Sequence, residues 1–212
     1  IEKHRNDYLG WFTKGIINKD PKRAKYKVSK NAYEKALEIN PQDAKAHNNY
    51  ANLLIGHFDN KEGAKEHYEK ALEINPQYVN AHNNYASLLI DNFNDREGAK
   101  KHYQKALEIN PKYDIAHNNY AILLIDHFDD KERAKEHYQK ALEINPQNAE
   151  AHYNYANLLI DHFDDKEGAK EHYEKALEIN PLDAGAHYNY ANLLITHFDD
   201  KEAAKEHYQK AL

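Results

Sequence analysis

Through residues 44–74, apolar side chains return every three or four positions in two separate runs. Ala46, Tyr50, Leu53, Leu54 and Phe58 mark the first, and Ala64, Tyr68, Ala71, Leu72 and Ile74 the second. Such spacing puts each run on one face of a helix, so the pattern predicts two amphipathic helices. Asp59-Asn60 reads as the turn between them, with the second helix starting near Lys61. Asn75-Pro76 closes that helix, because proline disfavours helix in the residue before it and cannot extend the helix behind it. The whole pattern then recurs. The Asn-Pro pair stands at Asn40-Pro41, Asn75-Pro76, Asn110-Pro111, Asn145-Pro146 and Asn180-Pro181, always 35 residues apart. One hairpin cannot bury its stripe alone, so hairpins at this period must stack on one another.

The period divides residues 43–212 into repeats at 43–77, 78–112, 113–147 and 148–182 and a shortened last one at 183–212. Residues 1–42 diverge from it and are expected to form an N-terminal helical hairpin. Tyr8-Leu9-Gly10-Trp11-Phe12 with Ile16-Ile17 gives its apolar segment, and a long basic helix runs from Lys22 to Asn40-Pro41. Asp20-Pro21 is its start, with proline at the first helical position. The architecture expected is all-α, a helix-turn-helix solenoid.

The residues of one hairpin carry a resemblance to a known family. Tyr50-Ala51 is a large apolar residue followed by a small one, and Ala64, Tyr68, Ala71 and Pro76 form a small-aromatic-small-proline series. In these positions the chain resembles the tetratricopeptide repeats (TPR). It departs from them in having His47 where the family has an aromatic and one extra residue in the turn, giving 35 instead of 34. The resemblance implies a right-handed superhelix, a protein-interaction scaffold and a concave groove lined by each first helix. It also implies that stacked asparagines can grip an extended peptide's backbone. The matching positions are Asn49, Asn84, Asn119, Asn154 and Asn189, with Asn48, Asn83, Asn118, Tyr153 and Tyr188 beside them. An amide offers both donor and acceptor, so it can pair with a peptide unit without reading its sequence. The same asparagines could instead bond helix to helix. Further groove positions would be Asn52, Ser87, Ile122, Asn157 and Asn192, then Gly56, Asp91, Asp126, Asp161 and Thr196. Because these lack the Lys and Arg that clamp carboxylate ligands in some family members, a neutral or basic peptide is the expected partner.

Composition narrows the function without naming a partner. Charged residues make up 30% of the 212-residue chain, there are 17 Tyr, and Cys and Met are absent. This is the make-up of a water-soluble helical protein, with no disulfide chemistry and no span or leader of membrane type. The expected location is cytoplasmic by default. A first residue of Ile without any Met suggests a processed chain or a part of a longer one. Ser and Thr stand in no shared setting and no glycine-rich phosphate loop occurs, so the chain is not expected to be an enzyme or to need a cofactor. Of the fifteen His, fourteen recur by repeat, with no Cys or HExxH pair beside them. They read as partly exposed copies able to make packing pH-sensitive, not as a metal site.

Charge is lopsided, and this supplies the rival reading. Residues 1–42 hold ten Lys/Arg against five Asp/Glu, whereas the remainder holds 19 against 30. The acidic body disfavours nucleic acid. A basic aromatic head (Trp11, Phe12, Lys22, Arg23 and Lys25) and an acidic tail ending at Tyr208 and Leu212 could meet head to tail. Heterologous contacts that do not close into rings build filaments, and such a fibre subunit could be extracellular. A third alternative is the recognition arm of a larger enzyme.

Overall fold

The computed structural model describes residues 26–212, and among them every regular element is a helix. The order is α1 (Tyr26–Ile39), α2 (Ala44–Phe58), α3 (Lys61–Ile74), α4 (Val79–Phe93), α5 (Arg96–Ile109), α6 (Asp114–Phe128), α7 (Lys131–Ile144), α8 (Ala149–Phe163), α9 (Lys166–Ile179), α10 (Ala184–His197) and α11 (Lys201–Lys210). They fall into two compact units, one reaching Pro111 and the other beginning at Lys112. In the first unit, α2 pairs with α3 and α4 with α5, while α1 packs on α2 and α3 on α4. In the second, α6–α7, α8–α9 and α10–α11 are the hairpins; α7 packs on α8, α9 on α10, and α6 also meets α8 directly. The proposed first helix of the N-terminal hairpin lies outside the described residues.

The turn inside each hairpin is built by a pair of short polar residues. Asp59, Asn94, Asp129, Asp164 and Asp199 adopt positive φ, from 47° to 52°. Asp and Asn tolerate that left-handed conformation better than most residues. The next backbone N–H then bonds back to a leucine carbonyl, as Asn60 does to Leu54 at 3.1 Å and Asp165 to Leu159 at 3.0 Å. This closure satisfies carbonyls that the ending helix would leave without a partner. The same residue also caps the second helix. Asn60 Oδ1 accepts from the Gly63 N–H at 3.0 Å and Asp165 Oδ1 from the Gly168 N–H at 2.9 Å. Asp165→Ala should therefore lower stability by about 1 kcal/mol in urea unfolding. An unchanged midpoint would show that the cap contributes nothing.

Small residues let the helices approach. Ala46, Ala51, Ala64 and Ala71 are fully buried, as are their counterparts Ala151, Ala156 and Ala169. Leu53, Leu54, Leu123 and Leu124 fill the remaining space, each at most 2% exposed. Within each unit, second-helix tyrosines pack against the tyrosine of the following first helix, at 5.9 Å between ring centres for Tyr68–Tyr85, Tyr138–Tyr155 and Tyr173–Tyr190. First-helix hydroxyls reach back to the preceding hairpin, so Tyr85 OH donates to Glu69 at 2.7 Å and Tyr190 OH to Glu174 at 2.6 Å.

Five of the histidines depart from the expectation of partly exposed copies, while His67, His102, His137, His172 and His207 are half-buried and His57, His162 and His197 exposed. His47, His82, His117, His152 and His187 are buried. Each holds a ring 20 positions on, with Nδ1···Nδ1 at 2.8 Å in His47–His67, His82–His102, His117–His137, His152–His172 and His187–His207. The tautomers follow from a second contact. His47 Nε2 faces the Pro41 carbonyl at 3.0 Å, and His82, His152 and His187 repeat this with Pro76, Pro146 and Pro181 at 3.1 Å. A carbonyl only accepts, so the first ring carries its hydrogen on Nε2 and its bare Nδ1 accepts from the second ring's Nδ1–H. Each hairpin is thus clamped, and for His47, His82, His152 and His187 the entering proline turn is tied to the clamp.

Candidate peptide-binding face

The first helices of the hairpins place their asparagines in two different settings. Asn48, Asn83 and Asn118 are buried, at 3%, 4% and 1% exposure. Asn49, Asn84, Asn119, Asn154 and Asn189 are half-buried. Within the first unit, Asn84 Nδ2 donates to Asn48 Oδ1 at 3.1 Å; within the second, Asn154 Nδ2 donates to Asn118 Oδ1 at 3.1 Å. The buried amides also donate to their neighbours, Asn48 to Asn49 and Asn83 to Asn84 at 3.3 Å, and Asn118 to Asn119 at 3.2 Å. These amides staple helix to helix. Asn48, Asn83 and Asn118, expected to line an open groove, are thus buried beneath the half-buried asparagines beside them.

Tyr153 and Tyr188 replace these buried amides in the last two hairpins. Tyr153 is half-buried and its hydroxyl accepts from Asn189 Nδ2 at 3.0 Å, whereas Tyr188 is 54% exposed. Of the proposed head-to-tail contact, Trp11, Phe12, Lys22, Arg23 and Lys25 lie outside the described residues. Tyr208 OH is turned inward, donating to Asn192 Oδ1 of its own hairpin at 2.6 Å, and Leu212 is fully exposed.

In the second unit this face opens into two cavities that repeat at the period of the chain. One, of about 280 Å³, lies between α6 and α8 and is lined by Ile122, Ile125, Asp126, Tyr138, Asn154, Asn157, Leu158, Asp161 and His162. The other, of about 290 Å³, is bounded by Asn157, Ile160, Asp161, Tyr173, Asn189, Asn192, Leu193, Thr196 and His197. Asn157 and Asp161 border both, so the two form one trough. Asn157 Oδ1 already accepts from Tyr173 OH and, at 3.1 Å, from Asn189 Nδ2. Its own amide hydrogens remain for whatever fills the trough. The sequence had marked Ile122, Asn157, Asn192, Asp126, Asp161 and Thr196; it missed the second-helix tyrosines and Ile125, Ile160, His162 and His197. For Ile125 and Ile160 the spacing of three from Ile122 and Asn157 was the available signal.

The chemistry of this trough is amide and carboxylate over an apolar floor. Among the described residues no group of three or more His, Asp or Glu is placed to hold a metal ion. No described helix is long and apolar enough to cross a membrane.

Stacked helical hairpins with this amide spine define a repeat protein of the class that presents surfaces to other proteins. The tetratricopeptide repeat pattern matches residues 32–66, 67–98, 102–136, 137–171 and 172–212, and the chain belongs to that family. Pseudomonas aeruginosa pilF is similar in structure, with TM-score 0.82 at 21% identity over 97% of this chain and 90% of that one. YrrB, described as a TPR protein with an unusual peptide-binding site, aligns at TM-score 0.62 and 25% identity over 86% of this chain and 91% of that one. The Cut9–Hcn1 hetero-tetramer of the APC/C contains a chain that matches all of this one at TM-score 0.83 and 16% identity, over 41% of its own length. No curated protein sequence matches. The fold is one that supports protein–protein interaction.

Proposed function

We propose that this chain is a non-enzymatic protein-binding scaffold whose second unit takes an extended peptide, neutral or basic, along the trough on α6, α8 and α10. The observation carrying this reading is the pair of cavities set one repeat apart and joined at Asn157 and Asp161. Neighbouring packed helices stand about 8–10 Å apart. Three residues of a polyproline-II peptide advance about 9 Å, so side chains three positions apart can enter successive cavities. Backbone recognition falls to the half-buried asparagines that border the trough, Asn154 and Asn189, and to Asn157 and Asn192. Asn49, Asn84 and Asn119 are proposed for the same role at their own hairpins. A peptide site is the property ascribed to YrrB, which lends the reading support. The head-to-tail reading rests mainly on residues outside the described part and yields to this one.

Random decapeptides displayed on phage and selected on the immobilised chain supply the test. Ile160→Arg, which puts a long cation into a cavity wall, should abolish capture of the selected peptides while the helical circular dichroism is kept. Undiminished capture would sink the trough as the binding surface.

A further inference from the structure

The cavity between α6 and α8 differs from its neighbours in one side chain. Where Asn52, Ser87, Asn157 and Asn192 stand in the other hairpins, each is bonded to the second-helix tyrosine hydroxyl, of Tyr68, Tyr103, Tyr173 and Tyr208 in turn. Ile122 takes that position in the hairpin of α6 and α7. The hydroxyl of Tyr138 consequently has no hydrogen-bond partner among the described residues, although the residue is only 2% exposed and lines the cavity. That hydroxyl opens onto the cavity, where a ligand or water can supply its partner. Asp126 and Asp161 stand on the same cavity, both exposed, and neither carboxylate is in an ion pair among the described residues. Ile122, Ile125 and Leu158 supply an apolar wall, with Asn154, Asn157 and His162 completing the lining.

We infer that this cavity is a lysine side-chain pocket, a specificity site within the trough proposed above and dependent on that reading. The aliphatic stem lies on Ile122, Ile125 and Leu158, as long cationic side chains do along apolar surfaces. The ammonium donates to the carboxylates of Asp126 and Asp161 and to the Tyr138 hydroxyl oxygen, one acceptor for each of its three hydrogens. Burial, with Asp126 and Glu150 nearby, holds the Tyr138 phenol well above its ordinary range, so it meets the ammonium as a neutral hydroxyl. The next cavity lacks this set: Thr196 replaces the second carboxylate and Asn157 already occupies the Tyr173 hydroxyl. The occupant is a lysine of an extended peptide, and the cavity of α8 and α10 takes a neutral side chain.

Two capped alanine peptides test this, one with a central lysine and its twin with norleucine, titrated into the 15N-labelled chain and followed by amide chemical shifts. The lysine peptide should bind at least tenfold more tightly, shifting amides around 122–126 and 157–161. Asp126→Asn with Asp161→Asn should erase that preference. Ile122→Asn restores the arrangement already folded in the other hairpins and should cut lysine affinity at least threefold by engaging Tyr138. Equal affinity for both peptides at the same amides would overturn the lysine pocket and leave the trough standing. Absence of shifts with either peptide would overturn both. Full lysine preference in Ile122→Asn would remove Tyr138 from the pocket.

Discussion

Acidification from neutral pH to about 4 is expected to strip stability from this chain much more steeply than a lone histidine would. The rings of His67, His102, His137 and His172 are held down to about 4, first by burial and then by the charge of the partner ring. His47, His82 and His152 are also lowered, again chiefly by burial. Nearby carboxylates such as Glu34 beside His67, and Asp95 and Glu69 beside His102, pull the other way without reversing the direction. Each ring ordinarily titrates near 6.5 once unfolded. The unfolded chain therefore binds protons that the folded one refuses, so stability is complete above 6.5 and is lost as pH falls toward about 4. Every pair that takes up one proton on unfolding adds about 1.4 kcal/mol per pH unit to the slope. Geometry enforces the same sign: a proton on His47 Nδ1 would face the His67 Nδ1–H and break the clamp. Urea midpoints measured between pH 7 and 4 check this. Replacing His67, His102, His137 and His172 together by Asn keeps a donor near Nδ1 and removes the four most strongly lowered rings, and should make the acid limb shallower. An equally steep limb in that variant would refute the clamp as its source.

How far the sequence reached depends on whether a feature is local. Apolar spacing and the Asn-Pro period are local, and the turn they imply at Asp59-Asn60 is found between Phe58 and Lys61, where one helix ends and the next begins. The buried stripe of Ala46, Tyr50, Leu53 and Leu54 was legible for the same reason. The asparagines were not, because adjacent helical positions differ by about 100° in direction. Asn48 and Asn49 therefore cannot both face a groove, and composition alone does not say which turns inward. The histidine clamps were invisible because they join positions 20 apart, a separation with no helical period in it. The free hydroxyl of Tyr138 could have been read only by knowing that residue 122 faces it.

Leu124→Ala is expected to destabilise the chain by about 2–5 kcal/mol, whereas Leu182→Ala changes stability by less than about 0.5 kcal/mol. The two substitutions are chemically identical and differ only in place. Leu124 is fully buried in α6, against the fully buried Ala121 of its own helix and the hairpin partner α7, while Leu182 is 90% exposed in the turn after Asn180-Pro181. Truncating Leu124 removes apolar area from the α6–α7 interface and leaves a cavity that the flanking helices close only in part. Its backbone carbonyl also accepts from the Asp130 N–H at 3.0 Å, which closes the hairpin turn. Collapse of the emptied core would therefore pull on the turn as well as on the packing. Urea unfolding of both variants beside the parent chain gives the comparison. Comparable losses for the two would mean that burial at α6 contributes no more than an exposed leucine, and the packing of stacked hairpins would need another source.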